Sequence, residues 1–366
     1  MRFPRRAVPV VLAAAAVVLA GGAAIVLLQP VPTPVEPDQR ALADVDQYAV
    51  ESRESSEAVR ALVPAGQPGC SAAVARNGTV LWAGAAGLAD LAAGTPVTTE
   101  TRFDMASVSK QFTATAVLML QRDGLLSLAD PIAAYVDGLP DWGATITLDQ
   151  LVHHTSRIPD YWVELDDIGI GFTDAADQAT TLDAIRREYE LDEGEGYEYS
   201  NSNYVLLAAV VDRVSGQTLA DFLTARIFDP LGLDMVLAPT LHAPDIALSY
   251  DDDLSLQEAG WTSYGHTGII TTPSELARWG DQYRAGDIIG DDFDTGAVVN
   301  NPENGERYGA GMYITVDGGL NHQGRMGGFI SDFQVSPDRH TTITVMCNGH
   351  LSNRTGLASA LWAIWG

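Results

Sequence analysis

The sequence contains very little lysine and lacks the signatures of several common hydrolase classes. Lys110 is its only lysine, against twenty arginines. There is no Gly-x-Ser-x-Gly segment, which marks the nucleophile of α/β-hydrolases, and no His-Glu-x-x-His segment, which is typical of zinc peptidases. No glycine directly precedes Lys110, as a phosphate-binding P-loop requires. These absences argue against an α/β-hydrolase, a metallohydrolase and a P-loop protein.

Cysteine is scarce as well. Cys70 and Cys347 are the only two cysteines, and they lie near opposite ends of the folded part. Two cysteines cannot form a zinc site alone, and we expect neither a metal ion nor another cofactor. An oxidising compartment would permit a disulfide, whereas two buried free thiols fit the sequence equally well. Both alternatives stay open on the cysteines alone.

Basic residues are far outnumbered by acidic ones. The formal net charge is −27, and without the arginines Arg2, Arg5 and Arg6 it is −30. Binding to a phosphate backbone requires a basic face, so nucleic acid is not expected as a partner. A solvated acidic surface that favours solubility accounts for this charge.

The N-terminal segment has the composition of an export signal or membrane anchor. The three arginines precede an uncharged, mostly apolar run of 22 residues, 7–28. A cleaved signal peptide has an apolar stretch of roughly 7–15 residues, and the longer run is sufficient to cross a bilayer core of about 30 Å. Residues 1–28 are therefore interpreted as a transmembrane anchor, with a signal peptide cleaved after Gly22 as the alternative. The positive-inside rule predicts an extracytoplasmic location for the remainder.

The rest of the chain divides into a linker and one domain. Residues 29–38 are rich in proline and predict an extended spacer, and residues 39–366 are assigned to a single domain. Within it we expect a helix over 39–62, a hairpin over 70–75 and 79–83 turning at Asn77-Gly78, and helices through 107–231. Strands over 329–335 and 341–346 and a helix over 357–364 follow. This order predicts an α+β fold, with an antiparallel sheet built from both chain ends, flanked by helices, and an inserted, mainly helical lobe.

Lys110 is the chemical exception in this sequence. Lysine can lose its proton when burial lowers its pKa and can then act as a base, which arginine cannot do. Ser107 lies three positions earlier, so on a helix the two side chains share a face and the amine could accept the hydroxyl proton. This spacing predicts a Ser-Lys nucleophile pair in which Ser107 attacks a carbonyl. Because a serine precedes a lysine at this offset fairly often by chance, the spacing alone is a weak signal.

Two later motifs strengthen this interpretation. In Tyr199-Ser200-Asn201 a tyrosine hydroxyl could relay protons and an asparagine amide could hold a substrate carbonyl. In His322-Gln323-Gly324, followed by Arg325, a glycine would let substrate lie against a strand whose amides could stabilise an oxyanion.

With these motifs in this order, the chain resembles the serine β-lactamase and penicillin-binding-protein superfamily. Specifically, it resembles the class C-like branch of β-lactamases, D-alanyl-D-alanine carboxypeptidases, D-aminopeptidases and esterases. The resemblance covers roughly residue 68 to the C-terminus. Its matching segments are 103–114 around Ser107-Val108-Ser109-Lys110, then 151–156, 196–204, 228–233 and 268–272.

The resemblance implies a role for each site residue. Ser107 would be acylated, and Lys110 and Tyr199 would share the acid-base work. Substrate-binding residues would be Asn201, His322, Gly324 and Arg325, with an oxyanion hole formed by the backbone amides of Ser107 and Arg325. In this family the first strand lies beside the last, so the two cysteines could face one another.

The sequence departs from the family at two positions. Arg157 stands where the family usually has glycine, so the local turn is expected to differ. His322 replaces the lysine typical of true class C β-lactamases, which removes a fixed cation for a substrate carboxylate. Arg325 could replace that cation, or its side chain could equally point into solvent.

The function expected from the resemblance is that of an exported serine hydrolase acting through an acyl-enzyme on an amide or ester. A D-alanyl-D-alanine carboxypeptidase, D-aminopeptidase or esterase activity is favoured. The alternatives are a true β-lactamase and a catalytically silent relative that binds cell-wall peptides. Expected partners are a small-molecule or peptide substrate, with a peptidoglycan stem peptide as one candidate, and the membrane through the N-terminal segment.

Four aromatic residues are candidates for the wall of the substrate cleft: Tyr161, Trp162, Trp261 and Tyr264.

Overall fold

The structure, a computed structural model, describes residues 47–239, 242–257, 260–290, 292–349 and 354–366. The predicted leader, 1–28, and linker, 29–38, lie outside these ranges. Within the ranges, no helix is both long and apolar enough to cross a membrane.

Most of the strands come from the two ends of the described chain. In chain order they are β1 (Cys70–Arg76), β2 (Thr79–Ala86), β3 (Leu88–Asp90), β4 (Thr95–Pro96), β5 (Phe103–Asp104), β6 (Val236–Leu237), β7 (Ile269–Thr271), β8 (Val298–Asn301), β9 (Glu306–Tyr308), β10 (Tyr313–Ile314), β11 (Leu320–Met326), β12 (Phe329–Val335) and β13 (Thr341–Cys347).

The helices fill the middle of the chain and both of its described ends. The α-helices are α1 (Ala49–Leu62), α2 (Lys110–Arg122), α3 (Leu148–Val152), α4 (Tyr161–Asp167), α5 (Gln178–Ile185), α6 (Asn201–Ser215), α7 (Leu219–Leu223), α8 (Asp229–Leu231), α9 (Pro273–Trp279), α10 (Gln282–Ala285) and α11 (Arg354–Trp365). Short 3-10 helices occupy Ala106–Ser109, Ile132–Ala134, Asp141–Ala144 and Asp292–Asp294, and a π-helical turn occupies Thr224–Phe228.

One antiparallel sheet of eight strands forms the centre, in the order β2-β1-β13-β12-β11-β10-β9-β8. The predicted hairpin opens it: Asn77 and Gly78 have φ angles of 52° and 73°, as a tight turn between twisted strands requires. The pairing of β1 with β13 places Cys70 opposite Cys347. The two cysteines form a disulfide, with a Cα–Cα distance of 4.1 Å.

Helices cover both faces of this sheet. On one face, α1 and α11 pack on β1 and β13 through an apolar cluster that includes Val59, Val74, Val345 and Leu361. On the other, Ala277 of α9 contacts alternate alanines of β1. Because successive side chains of a strand point to opposite faces, β1 is buried on both sides.

The helical lobe is inserted in the chain between β2 and β8. Its hydrophobic core is centred on α2 and α6, most of whose residues are buried. The same core includes residues of the large sheet, such as Phe333. Beside it, the short strands β5, β7 and β6 form a separate three-stranded sheet. The predicted α+β class, with a sheet built from both chain ends and an inserted helical lobe, is confirmed. The small sheet and strands β8–β10 were not predicted.

Candidate active site

Ser107 sits on a tight turn between β5 and α2. The preceding residue, Ala106, has a φ of 49°, a conformation that costs energy for a residue with a side chain and that is often found at functional sites. Asp104 holds this turn, because its Oδ1 accepts a hydrogen bond of 2.7 Å from the Ala106 amide. Ser107, the candidate nucleophile, lies in the 3-10 helix Ala106–Ser109, which continues directly into α2.

Strand β11 runs close beside this turn because it carries a glycine there. A Cβ on Gly324 would lie 2.5 Å from the Met105 carbonyl oxygen and 2.3 Å from Ser331 Oγ. Ser331 Oγ itself donates a 2.7 Å hydrogen bond to that carbonyl. Any larger residue at position 324 would force the strand away from Ser107.

Lys110 lies beneath Ser107 and is fully buried. Its Nζ is 3.1 Å from Ser107 Oγ, 2.8 Å from Asn201 Oδ1 and 3.2 Å from the His266 carbonyl oxygen. Burial lowers the pKa of Lys110 well below its usual value, an effect that the nearby Asp160 carboxyl partly opposes. A lysine in this position favours the neutral amine, which is the form that can accept a proton.

Asp160 orients the asparagine that contacts Lys110. Its Oδ2 accepts hydrogen bonds from the Asn201 backbone amide at 3.0 Å and from Asn201 Nδ2 at 2.8 Å. The amide is thereby fixed with its oxygen towards Lys110. Asp160 was not identified from the sequence, although it lies only four residues after the segment 151–156 that carries the resemblance.

Tyr199 closes the other side of the lysine. Its ring centroid is 4.8 Å from Lys110 Nζ, and it stacks on His154 with a centroid separation of 4.3 Å. Burial raises the pKa of Tyr199 well above its usual value, although a hydrogen bond with Ser107 partly offsets this. The phenol therefore keeps its proton at neutral pH and can act as a donor.

His154 forms the floor under Tyr199. Its Nδ1 lies 3.2 Å from the Ser200 amide and 3.0 Å from Asn203 Nδ2, both of which are donors. Burial lowers the pKa of His154 well below its usual value, and the positive charge that Lys110 can carry adds to this. The imidazole is thus a neutral group that supports the Tyr199 ring. His154 was not among the site residues predicted from the sequence.

His322 is a second neutral imidazole of the site. Burial, followed by the influence of Lys110, lowers its pKa to about 3. Its Nδ1 lies 2.7 Å from the Gln323 carbonyl oxygen and its Nε2 lies 3.4 Å from the Tyr308 hydroxyl. At this third-motif position the structure therefore offers a hydrogen-bonding group and no fixed cation.

The predicted site residues meet in one cavity of about 660 Å³. Those that line it are Ser107, Tyr199, Asn201, His322, Gly324 and Arg325. Lys110 does not line the cavity itself but contacts Ser107, which does. The lining also includes residues that were not singled out from the sequence, among them His266, Asn300, Glu306 and Tyr313.

The four candidate cleft aromatics have different fates. Trp162 lines the cavity. Tyr161 and Trp261 are buried in the core, and Tyr264 donates a hydrogen bond to Asp212. Among the residues that the structure describes, no three His, Cys, Asp or Glu side chains are grouped to hold a metal ion.

The loop before Asp160 keeps an unusual backbone despite its arginine. Arg157 has a φ of 63°, in the region that favours glycine. Its guanidinium lies 3.2 Å from Glu198 Oε2 and also donates to the Glu193 carbonyl oxygen. The backbone at position 157 therefore stays in the glycine-favoured region although the residue is an arginine. The arginine side chain also links this loop to the segment that carries Tyr199.

A comparison with protein families agrees with this geometry. The sequence model of the family described as "Beta-lactamase" matches residues 56–362. The chain belongs to the β-lactamase family. This family assignment confirms the resemblance on which the site residues were selected, and it covers both ends of the sheet as well as the helical lobe.

Two curated relatives match parts of this family member. The chain is 32% identical over 168 residues to penicillin-binding protein 4* of Bacillus subtilis (strain 168), covering 44% of this chain and 36% of that protein. It is 31% identical over 222 residues to a D-aminopeptidase of Brucella canis, covering 58% of this chain and 42% of that protein. The matches thus span less than half the length of these relatives.

Solved structures share the fold over most of the chain. A D-stereospecific amidohydrolase from Streptomyces sp. superposes with a TM-score of 0.71 at 23% identity, covering 85% of this chain and 98% of that one. A penicillin-binding protein from Bacillus halodurans gives a TM-score of 0.72 at 22% identity, with coverages of 86% and 98%. At such identities the likeness shows the fold alone.

Proposed function

We propose that this β-lactamase-family protein is a serine hydrolase that transfers an acyl group from an amide or ester to Ser107 and then to water. The observation that carries the proposal is the 3.1 Å contact between Lys110 Nζ and Ser107 Oγ, made by a lysine that is fully buried. A binding module has no need for a desolvated amine beside a serine hydroxyl, because burying such a group without a compensating role is costly.

The residues suggest a two-stage reaction. Ser107 Oγ forms a bond to the substrate carbonyl carbon while its proton passes to Lys110 Nζ, and the carbonyl oxygen becomes an oxyanion facing the backbone amides of Ser107 and Arg325. The bond to the leaving nitrogen or oxygen then breaks, and that atom takes a proton from the Tyr199 hydroxyl. Proton transfer from Lys110 to Tyr199 restores both groups.

Deacylation reverses these roles with water as the nucleophile. Water attacks the ester carbon and gives up its proton to the Lys110–Tyr199 pair, and Ser107 Oγ leaves as a hydroxyl by taking a proton back. Asn201, held by Asp160, is placed to contact the substrate amide while its oxygen holds Lys110. In support of this scheme, Ser107, Tyr199, Asn201 and Arg325 all line the same cavity.

The favoured substrates are amides, peptides or esters of D-amino acids. In support, a relative named a D-aminopeptidase matches more than half of this chain, and His322 supplies no fixed cation of the kind expected in true class C β-lactamases. A D-alanyl-D-alanine carboxypeptidase or esterase activity remains within the same proposal. Hydrolysis of β-lactam antibiotics and binding without catalysis are the alternatives that the experiment must separate.

We also propose an extracytoplasmic location, because the arginines at the N-terminus precede an apolar run of 22 residues. A peptidoglycan stem peptide is then an accessible substrate. Expression of the full-length protein in a bacterial host, followed by membrane fractionation and N-terminal sequencing, tests this. A soluble cytoplasmic protein that retains Met1 would contradict it.

A covalent label tests the enzyme proposal directly. The full-length protein is incubated with a fluorophosphonate or with penicillin and its intact mass is measured. We expect one adduct on the wild type, none on Ser107→Ala, and an unchanged adduct on Ser109→Ala, a neighbouring serine of the same 3-10 helix. No adduct on the wild type with either reagent, or an adduct on Ser107→Ala, would refute the proposal. A panel of a D-Ala-D-Ala peptide, a nitrophenyl ester and nitrocefin then ranks the substrates.

A further inference from the structure

A carboxylate of the cavity wall has no function in the reaction described above. Glu306 lies on β9 and lines the same cavity as Ser107. Its Oε2 accepts a hydrogen bond of 3.1 Å from Asn300 Nδ2 on the adjacent strand β8. This places a carboxylate, held by one neutral donor, in the wall of the space where substrate would bind.

Glu306 makes no ion pair with a described residue. In the described ranges no Lys, Arg or His nitrogen lies within ion-pair distance of its oxygens, whereas Glu198 and Glu164 pair with Arg157 and Arg187. The Oδ1 of Asn300 is buried and likewise has no hydrogen-bond partner among the described residues. This part of the wall therefore holds more acceptors than donors.

Two aromatic side chains share the cavity with Glu306. Tyr313 and Trp162 line the same cavity, and the Glu306 carboxylate is near enough to Tyr313 to contribute to the raised pKa of its phenol, after the larger effect of burial. A positive group between a carboxylate and ring faces gains both charge pairing and cation–π attraction.

We propose that Glu306 binds a protonated amine of the substrate, so that the preferred substrates are amides or peptides with a free amino group. This inference rests on the proposed function, and it names the substrate class within it. An ammonium group brings three N–H donors and one positive charge, which match the carboxylate of Glu306 and the buried Asn300 Oδ1 beside it. N-acylated substrates would bring neither to Glu306.

The test compares two substrates that differ only in the amine. D-alanine p-nitroanilide and N-acetyl-D-alanine p-nitroanilide are hydrolysed by the full-length wild type and by Glu306→Gln, which keeps an acceptor for Asn300. We expect kcat/KM for the free amine to fall about tenfold or more, as for loss of a charge-assisted hydrogen bond. The value for the acetylated substrate should not change.

Two controls separate charge recognition from a structural effect. Glu303→Gln changes an exposed glutamate of the same hairpin and should leave both substrates unaffected. The preference of the wild type for the free amine should also decline above about pH 8, where a substrate α-amino group loses its proton. An equal loss for both substrates in Glu306→Gln, or a wild type that prefers the acetylated one, would overturn the proposal.

Failure of the inference is distinguishable from failure of the enzyme proposal. The rate of fluorophosphonate labelling of Ser107 is measured with D-alaninamide or N-acetyl-D-alaninamide as competitor. Labelling that the free amine slows more strongly supports the role of Glu306. Labelling that both slow equally, or neither slows, overturns that role and leaves the Ser107 nucleophile intact. Absence of labelling without any competitor refutes the enzyme proposal itself.

Discussion

Lys110 Nζ lies 3.1 Å from Ser107 Oγ, and the side chain of Lys110 is fully buried. The pair is formed across one turn of a 3-10 helix that becomes α2 at the lysine itself. Residues three apart eclipse one another in a 3-10 helix, so this spacing aligns the two side chains. Burial lowers the pKa of Lys110, so the local backbone and the low-polarity surroundings together favour a neutral amine beside the hydroxyl.

Replacing Lys110 with arginine should abolish turnover although the positive charge is kept. Arginine stays protonated in proteins and cannot accept the Ser107 proton, so we expect kcat/KM to fall by about a hundredfold to ten-thousandfold, the range for a lost general base. Steady-state hydrolysis of a nitrophenyl ester measures this. Lys110→Met, which fits the same space without charge, should be equally inactive, and thermal unfolding shows whether each variant folds.

The wild-type pH profile gives a second check on the lysine. The amine must be neutral, so activity should be lost as the pH falls through its lowered pKa, and this acidic limb should lie well below pH 10.5. If Lys110→Arg acylates at the wild-type rate, or if the limb lies near the ordinary lysine pKa, Lys110 is not the base.

Replacing Tyr199 with phenylalanine should impair amide hydrolysis more than ester hydrolysis. The raised pKa of Tyr199 keeps its phenol protonated, which suits a donor to the leaving group. An amine must be protonated to leave, whereas nitrophenolate leaves readily without a proton. We expect kcat to fall about a hundredfold or more for an anilide or peptide and clearly less for a nitrophenyl ester. Equal losses for both substrates would contradict a role in protonating the leaving group.

Asp160 should act on catalysis through Asn201 and Lys110. Asp160→Asn keeps an acceptor for Asn201 but removes the charge that opposes the lowering of the Lys110 pKa. The acidic limb of the rate profile should therefore move to lower pH, with a small change in kcat. Asp160→Ala also removes the acceptor, so Asn201 loses its orientation and kcat should fall about tenfold or more.

The matched control for both Asp160 variants is Asp166→Asn, at an exposed position of helix α4, which Asp160 caps. It should show the wild-type profile. An Asp160→Asn profile whose acidic limb stays in place would mean that this carboxyl does not influence the base. In that case its contribution would be limited to the hydrogen bonds with Asn201 and to the Oδ1 contact that caps α4.

The site motifs could be predicted from the sequence because they are local. Ser107 with Lys110, and Tyr199 with Asn201, each lie within a short segment whose spacing carries the chemistry, and the structure brings these segments into one cavity. The hairpin at Asn77-Gly78 was predictable for the same reason, since its turn needs positive φ angles that these residues tolerate.

The parts that the sequence did not predict depend on long-range packing. Glu306 and Asn300 lie on strands of three and four residues, too short to show a periodicity, and they reach the cavity only through the order of strands in the sheet. Tyr161 and Trp261 were candidates for the cleft but are core residues. Aromatic identity does not distinguish a cavity wall from a packed interior.

The Cys70–Cys347 disulfide should stabilise the fold without affecting catalysis. It joins β1 to the end of β13 across 277 residues, and long loops gain most from a cross-link in the chain-entropy account. In the double variant Cys70→Ala, Cys347→Ala, the free energy of unfolding should fall by about 2–5 kcal/mol, with kcat unchanged where the protein is folded. Two free thiols in the denatured, unreduced wild type would contradict the bridge.

Asp104 should make stability depend on pH in a direction opposite to most paired carboxylates. Burial raises its pKa to about 6, although its Oδ1 accepts hydrogen bonds from the Ala106 and Gly268 amides. Between about pH 4 and 6 the folded protein therefore holds a proton that the unfolded chain has lost, so this group favours folding less as the pH rises.

Asp104→Asn removes this titration and keeps the acceptor that holds the turn before Ser107. The difference in unfolding free energy between variant and wild type should shift in favour of the variant from pH 4 to pH 7. A pKa raised from 3.8 to about 6 corresponds to about 2 kcal/mol over this interval. Urea denaturation at four pH values measures it, with Asp141→Asn at an exposed position as the control. A difference that is constant with pH would mean that Asp104 is ionised in the folded protein across the whole range.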